Sequence, residues 1–303
     1  MTRSTPPRLR KASPRQAKRA SANPSRSSRR SREAKTDRPI GLFDSGLGGL
    51  TVLKALRKFL PRERTLYFGD TARVPYGTKS PETVRRYAVE VARFLDAQGI
   101  KALVVACNTA SSVALREVRR AVSVPVVGVL EPGVEAALRA TRTGRIGIVG
   151  TAATVESRAY ERALRRRRPG VRCVARACPL FVPLAEEGWG TRAVTRAVAG
   201  EYLAPLKRAR VDTLILGCTH YPLLRSTVAR VMGKGVVLVD SASTTAKAVR
   251  ALLAARGLSS GGQRQSPAQA RYFVSDDPRH FRRLAERFLG HAVRRARRVA
   301  LRP

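Results

Sequence analysis

Two short apolar runs, about a hundred residues apart, each reach a cysteine and then turn polar at once. Residues 102–107 end on Cys107 and continue into Asn108 and Thr109, and residues 212–218 end on Cys218 and continue into Thr219 and His220. Such runs predict buried parallel strands, whose carboxyl ends are where open α/β sheets bind ligands. We therefore expect two thiols to face one pocket.

The sequence pattern of the first half starts again in the second half. Residues 40–45 (IGLFDS) align with residues 146–151 (IGIVGT) at an offset of 106, and the two cysteines are 111 apart. Glu131 and Asp240, each placed after an apolar strand, are 109 apart. Three pairs in one order at nearly one spacing indicate an internal duplication.

The fold prediction is an α/β protein of two pseudo-symmetric domains, each a doubly wound parallel sheet, with the active site in the cleft between them. It rests on strands that alternate with helices in both halves. Residues 39–131 are predicted to form the first domain, completed by residues 241–303, and residues 132–240 the second.

Several local features are predicted from turn and helix signals. Ser80 and Pro81 favour a helix start and Gly99 a helix end. Residues 131–133 (EPG) are expected to end a strand, and residues 178–188 to form an irregular loop. Single helices are expected over residues 111–121 and 155–168.

Residues 1–38 are predicted to be a disordered basic tail. They contain 13 Lys or Arg, 2 Asp or Glu and almost no large apolar side chain, so burial cannot offset the entropy of ordering them. Three origins are considered for this segment: a start codon placed too early, a species-specific tail or an organellar transit peptide. Deleting this segment is expected to leave turnover intact.

The net charge of +39 is spread along the chain of 303 residues. It predicts nonspecific contact with polyanions, for which the tail is a candidate, and attraction of acidic ligands. Nucleic-acid-binding motifs are absent from the sequence and aromatic residues are only 5%, which disfavours specific nucleic-acid recognition. The sequence contains no apolar run of membrane-spanning length and no paired-cysteine metal pattern, so we expect a reduced, cytoplasmic protein with no membrane partner.

The two cysteines suit proton transfer at a carbon atom. Each precedes a helix, and a helix N-terminus lowers the pKa of a thiol. Two thiols on opposite walls of a cleft can remove a proton from one face of a substrate and return one to the other. No cofactor signature or metal cluster accompanies them, so side chains alone are expected to do the chemistry.

Other polar residues are candidates for binding and for assisting the thiols. The turn after Asp44 and Ser45 (residues 44–49, DSGLGG) lacks the pattern of a phosphate-binding loop but is a ready site for a carboxylate. Asp44 can bind an ammonium group, assist a thiol or simply cap the helix. Asn108, Thr109 and Thr219 are donors for a second carboxylate, and His220 can assist Cys218. Glu186 lies in a loop that can approach the cleft, although a loop glutamate is usually just solvated.

The chain resembles the cofactor-independent glutamate racemases of the aspartate/glutamate racemase superfamily. The resemblance covers about residues 39–290 and rests on motifs that occur together and in order. They are residues 41–49 (GLFDSGLGG), 67–77 (YFGDTARVPYG), 106–110 (ACNTA), 178–186 (CPLFVPLAE), 216–222 (LGCTHYP) and 277–281 (DPRHF).

The resemblance implies interconversion of L- and D-glutamate for peptidoglycan synthesis, without a cofactor. It implies that Cys107 takes the α-proton from D-glutamate and Cys218 takes it from L-glutamate. Asp44, His220 and Glu186 would assist the thiols, and the implied substrate contacts are Asp44, Ser45, Tyr76, Gly77, Asn108, Thr109, Thr219 and His220.

Three questions stay open from the sequence. An aspartate or hydantoin racemase would share the same chemistry, because pocket size rather than motif spacing decides the substrate. A nucleic-acid-associated or regulatory protein on a retired enzyme fold is the alternative of another class, although the intact thiols argue against it. The oligomeric state is undetermined, with a homodimer among the alternatives.

Overall fold

Two parallel β-sheets form the core of the protein in a computed structural model that describes residues 1–2, 35–263 and 270–301. The strands are β1 Ile40–Asp44, β2 Thr65–Gly69, β3 Ala102–Val105, β4 Val126–Gly128, β5 Arg145–Gly150, β6 Arg172–Ala177, β7 Thr213–Gly217, β8 Val237–Asp240, β9 Arg271–Val274 and β10 Arg297–Arg298. The first sheet has the order β10-β9-β2-β1-β3-β4 and the second the order β6-β5-β7-β8. The predicted fold class is confirmed.

The two sheets repeat one another in strand order and in register. Strands β2-β1-β3-β4 of the first sheet correspond to β6-β5-β7-β8 of the second. Ile40 lies beside Ala102 in the first sheet, and Ile146 lies beside Thr213 in the second. The offsets of 106 and 111 found in the sequence are thus the offsets between equivalent strands.

The third pair of the repeat is displaced from its predicted partner. Val105 lies beside Gly128, and the equivalent Leu216 lies beside Asp240. Asp240 therefore corresponds to Gly128 and not to Glu131. Glu131 lies three residues beyond the end of β4, inside a helix.

Helices cover both sheets, as expected for strands buried on both faces. They are α1 Leu50–Phe59, α2 Pro81–Ala97, α3 Asn108–Val113, α4 Leu115–Ala121, α5 Leu130–Ala140, α6 Ala152–Glu156, α7 Ala159–Arg167, α8 Phe181–Glu186, α9 Ala193–Arg208, α10 Arg225–Met232, α11 Ser241–Ala255 and α12 Pro278–Leu289. The start of α2 is as predicted, since Ser80 Oγ accepts a hydrogen bond from the Thr83 amide at 3.3 Å. Gly99, with φ of +72°, follows its end.

Two predicted irregular segments are helical instead. Residues 131–133 lie in the first turn of α5, and Pro183 lies in the first turn of α8. Proline is tolerated there because the first amides of a helix have no intrahelical acceptor. The irregular loop predicted over residues 178–188 was therefore wrong at α8, whereas β4 does end before residues 131–133.

Two predicted single helices are each divided. Ala114 separates α3 from α4, and Arg158 adopts a left-handed conformation with φ of 49° between α6 and α7. Neither residue type is a helix breaker, so the sequence carried no local signal for the division.

Residues after 240 share a core with the first strands. Ala246 and Val249 of α11 and Phe281 of α12 pack in one apolar cluster with Ile40 of β1 and Leu50 of α1. Strand β9 pairs with β2 in the first sheet. The end of the chain thus helps to position the amino-terminal sheet, although the proposed domain boundaries stay a prediction.

Most of the predicted disordered tail, residues 3–34, lies outside the described residues, as do residues 264–269. Within the described end of the tail, the Thr36 carbonyl accepts a hydrogen bond from Lys101 Nζ at 2.5 Å. None of the helices within the described part of the chain is long and apolar enough to cross a membrane.

Candidate active site

The first thiol lies at the carboxyl end of β3. Cys107 is 5% exposed and caps α3, where the Ala110 amide donates to its sulfur at 3.5 Å. Ser45 Oγ, from the turn after β1, lies 3.8 Å from the same sulfur. The adjacent strands β1 and β3 therefore bring the predicted Ser45 and Cys107 together.

Burial keeps Cys107 protonated. It raises the pKa of the thiol to about 12, and the nearby charge of Asp44 acts in the same direction. The Ala110 amide and Ser45 lower the pKa by less than burial raises it. The amide of Ala110 at the start of α3 lowers the pKa of Cys107, as predicted, but burial outweighs that effect, so the expected net lowering does not occur.

The second thiol lies at the matching position after β7. Cys218 is 6% exposed, and its sulfur lies 3.7 Å from Nδ1 of His220. The other ring nitrogen, Nε2, lies 2.9 Å from Oε1 of Glu186 at the end of α8. The structure thus brings the three candidate residues Cys218, His220 and Glu186 together in one chain of contacts.

These contacts hold His220 in its charged form. Burial lowers the pKa of the imidazole. Hydrogen bonds with Cys218 and Glu186, together with the charges of Cys218 and Asp44, raise the pKa by more than burial lowers it, to about 10. A charged imidazole therefore lies beside the Cys218 sulfur. The two thiols therefore have different surroundings, with one kept neutral and the other beside a cation.

The carboxyl-terminal helix holds the His220–Glu186 pair from outside. Arg287 donates a hydrogen bond from Nη1 to the backbone carbonyl of Glu186. The ring of Phe288 contacts the His220 ring edge to face, with the ring centres 5.5 Å apart. The sequence analysis did not single out either residue, because neither lies next to a chemical motif in the chain.

Asp44 connects the two halves of the site. It is fully buried, and its Oδ2 accepts a hydrogen bond from the Gly46 amide at 3.0 Å. Its Oδ1 accepts a hydrogen bond from Thr219 Oγ1 at 3.3 Å. Burial raises the pKa of Asp44, and the positive charge of His220 opposes that rise. Asp44 therefore stabilises its own turn and also faces the second thiol's neighbours.

The halves approach closely on either side of Asp44. Thr51 Oγ1 lies 2.9 Å from the Thr219 carbonyl, and a Cβ on Gly48 would lie 2.2 Å from Thr219 Oγ1 and 2.5 Å from His220 Nδ1. Only glycine fits at position 48.

A group of hydroxyls closes the other side of the site. Thr109 Oγ1, in the first half, lies 3.0 Å from Thr151 Oγ1 and 3.3 Å from Thr154 Oγ1 in the second half. The sequence analysis missed Thr151 and Thr154. Thr151 could have been found from the internal repeat. The offset of 106 that aligns residues 40–45 with residues 146–151 makes Thr151 the equivalent of Ser45.

Asn108 is held on both sides. Tyr160 donates a hydrogen bond to its Oδ1 at 2.6 Å, and its Nδ2 lies 3.4 Å from Ser241 Oγ. Tyr160 and Ser241 were not predicted. They orient the side-chain amide of Asn108 beside Cys107.

Tyr76 and Gly77 lie at the rim of the same site. Tyr76 packs in a core cluster with Cys107, and its hydroxyl donates to Asp70 Oδ2 at 2.5 Å. A Cβ on Gly77 would lie 2.7 Å from Thr151 Cβ, so the backbone of Gly77 lies directly against the second half. Within the described ranges, no group of three or more His, Cys, Asp or Glu side chains could hold a metal ion.

Comparison with known proteins gives one consistent family. A family profile for Asp/Glu/Hydantoin racemase matches residues 50–249. The glutamate racemase of Geobacter metallireducens is 55% identical over 255 residues, which cover 83% of this chain and 92% of that protein. Two solved structures are similar over 88% of this chain and 98% of their own. The glutamate racemase of Francisella tularensis in complex with D-glutamate is 37% identical with a TM-score of 0.82, and that of Thermus thermophilus in complex with beta-chloro-D-alanine is 51% identical with a TM-score of 0.79.

Proposed function

Because the chain belongs to the Asp/Glu/Hydantoin racemase family and is an amino-acid racemase, we propose that it interconverts L- and D-glutamate. The observation that carries the proposal is the pair of buried thiols, Cys107 and Cys218, at matched strand ends of the repeated sheets. The names of its relatives favour glutamate, as does the D-glutamate bound to the Francisella tularensis enzyme.

In the direction from L- to D-glutamate, Cys218 acts as the base. Its thiolate, beside the His220 imidazolium, accepts the α-proton and becomes a thiol. The electron pair of the broken C–H bond stays on the α-carbon. Cys107, which burial keeps protonated, then donates its proton to the opposite face of that carbon and becomes a thiolate. The reverse reaction begins with the Cys107 thiolate and D-glutamate.

The surrounding groups position these steps. Glu186 orients His220 through Nε2, and Asp44 accepts a hydrogen bond from Thr219 between the halves. The proposed substrate contacts are Asp44, Ser45, Tyr76, Gly77, Asn108, Thr109, Thr219 and His220, to which Thr151 is added by its contact with Thr109. The hydroxyl, amide and backbone N–H groups among them suit the two carboxylates of the substrate. Each step uses protein side chains alone.

The product has a proposed role in the cell. D-Glutamate would be supplied for peptidoglycan synthesis in the cytoplasm. The four cysteines, 107, 173, 178 and 218, are all free thiols in the structure, in keeping with a reducing compartment.

The test is racemisation in D2O without added cofactor. When L-glutamate is the substrate, the D-glutamate formed early should contain deuterium at Cα while the remaining L-glutamate keeps its protium. That asymmetry follows from two separate thiols, because a single base would return label to both enantiomers. Aspartate, assayed in parallel, should react far more slowly.

Substitution of the thiols separates this mechanism from others. Cys107→Ala and Cys218→Ala should each reduce racemisation by roughly a thousandfold or more, since each removes one proton-transfer group. Cys173→Ala is the matched control, because that half-buried thiol lies in β6 outside the site. Near-normal turnover in either active-site variant would disprove the two-thiol mechanism, and faster turnover of aspartate would disprove the proposed substrate.

A further inference from the structure

A cavity of about 690 Å³ lies at the outer edge of the first sheet, away from the thiols. Five arginines from three parts of the chain line it, namely Arg271 of β9, Arg282 of α12, and Arg294, Arg295 and Arg297 near the end of the chain. The described residues that line the cavity include no acidic side chain. Five arginine residues therefore line one concave surface.

The positive charge of the cavity is not neutralised by the protein. In the part of the chain that the structure describes, none of the five arginines forms an ion pair with a carboxylate. Within the described ranges, the side chain of Arg282 donates a hydrogen bond from Nη1 to the carbonyl of Arg294 at 3.1 Å, which joins α12 to the segment before β10. Like charges held together repel one another, so a bound anion would relieve this repulsion.

The register of the sheet separates this cavity from the cleft. Arg271 lies beside Leu66, and Leu66 lies beside Gly41, near the amino ends of the strands. Asp44 lies beside Gly69 at their carboxyl ends, where the thiols are. Strands β9 and β10, which line the cavity, are separated by β2 and β1 from β3, the strand that leads to Cys107.

We propose that the arginine-lined cavity binds a small molecule that carries a diphosphate or triphosphate group. Guanidinium groups form paired hydrogen bonds with phosphate oxygens and keep their charge at every physiological pH. The volume lies in the range of small-molecule sites. A single-stranded nucleic acid would instead need an extended groove with aromatic side chains on which bases stack.

Binding of inorganic triphosphate to the full-length protein tests the proposal. Isothermal titration calorimetry at ~0.15 M salt should show one saturable site, since most long-range attraction is screened there. Arg271→Gln with Arg295→Gln should weaken binding about tenfold or more, the effect expected from losing charged hydrogen bonds. Both side chains are exposed, so the double variant should fold normally.

The control is a second double variant with the same change in charge. Arg119→Gln with Arg120→Gln removes two exposed arginines of α4 outside the cavity and should leave the dissociation constant within about twofold. Equal weakening by both pairs, or no saturable binding, would overturn the proposal. Tight binding of a single-stranded oligonucleotide without saturable triphosphate binding would also overturn it and would assign the surface to nucleic acid.

Discussion

Glu186 Oε1 lies 2.9 Å from His220 Nε2, on the side of the imidazole ring away from Cys218. The carboxylate stabilises the imidazolium and orients the ring toward the sulfur. Enantiomers have equal free energies in water, so any loss of kcat/KM must be the same for L- and D-glutamate. We predict that Glu186→Gln lowers both by about 10- to 100-fold, the value of one charged hydrogen bond.

Glu187→Gln is the matched control for that substitution. Glu187 is the next residue, is exposed, and carries the same charge. It should retain wild-type kcat/KM in both directions. Equal values for the Glu186 and Glu187 variants would show that the contact with His220 has no part in turnover.

The raised pKa of His220 predicts a pH dependence of stability. Its pKa rises from an ordinary 6.5 to about 10 in the folded protein. A raised pKa stabilises the folded state fully below the unfolded value and loses that contribution as pH rises through the folded value. We expect the difference in unfolding free energy between wild type and His220→Gln to shrink from pH 6.5 to pH 10, as measured by urea denaturation. A difference that stays constant over this range would contradict the assignment of a charged His220.

Gly48→Ala should reduce activity strongly. The added methyl group would lie 2.2 Å from Thr219 Oγ1 and 2.5 Å from His220 Nδ1, so both residues must shift. A displacement of this kind can cost about 100-fold in rate. Gly200→Ala in α9 is the control, because its Cβ would meet nothing within 4 Å. That change should keep activity and raise the unfolding free energy by up to ~1 kcal/mol through helix propensity.

Lys101→Met should destabilise the protein. Lys101 and Glu63 form a buried ion pair, and Lys101 Nζ also donates to the carbonyl of Leu258 at 2.8 Å. Removing the lysine alone leaves a buried carboxylate without its partner, at a cost of ~3–5 kcal/mol. The double variant Lys101→Met with Glu63→Gln should lose less, and urea denaturation of the three proteins measures both effects. A double variant less stable than the single one would show that the pair does not act as a unit.

The sequence predicted the strands best, because apolar runs at matched offsets report burial directly. Ile40, Ala102, Ile146 and Thr213 occupy equivalent registers in the two sheets. Helix breaks were harder to predict, since Pro132 lies in a first turn, where its missing amide donor has no effect. The thiols and the motif residues next to them could be predicted from local sequence. Arg287 and Phe288 could not be predicted, because they contact Glu186 and His220 only through the packing of a helix that is distant in the chain.

The unlike surroundings of the two buried thiols imply that the free enzyme exists in two forms. In the proposed mechanism, conversion of L-glutamate leaves the proton on Cys218 and leaves Cys107 as the thiolate, the reverse of the starting arrangement. A second L-glutamate cannot react until a proton has returned from one sulfur to the other through solvent. At high substrate concentration this reset, rather than the breaking of the C–H bond, can limit the rate. Until that reset, the protonation state of the two thiols would depend on which enantiomer the protein last released.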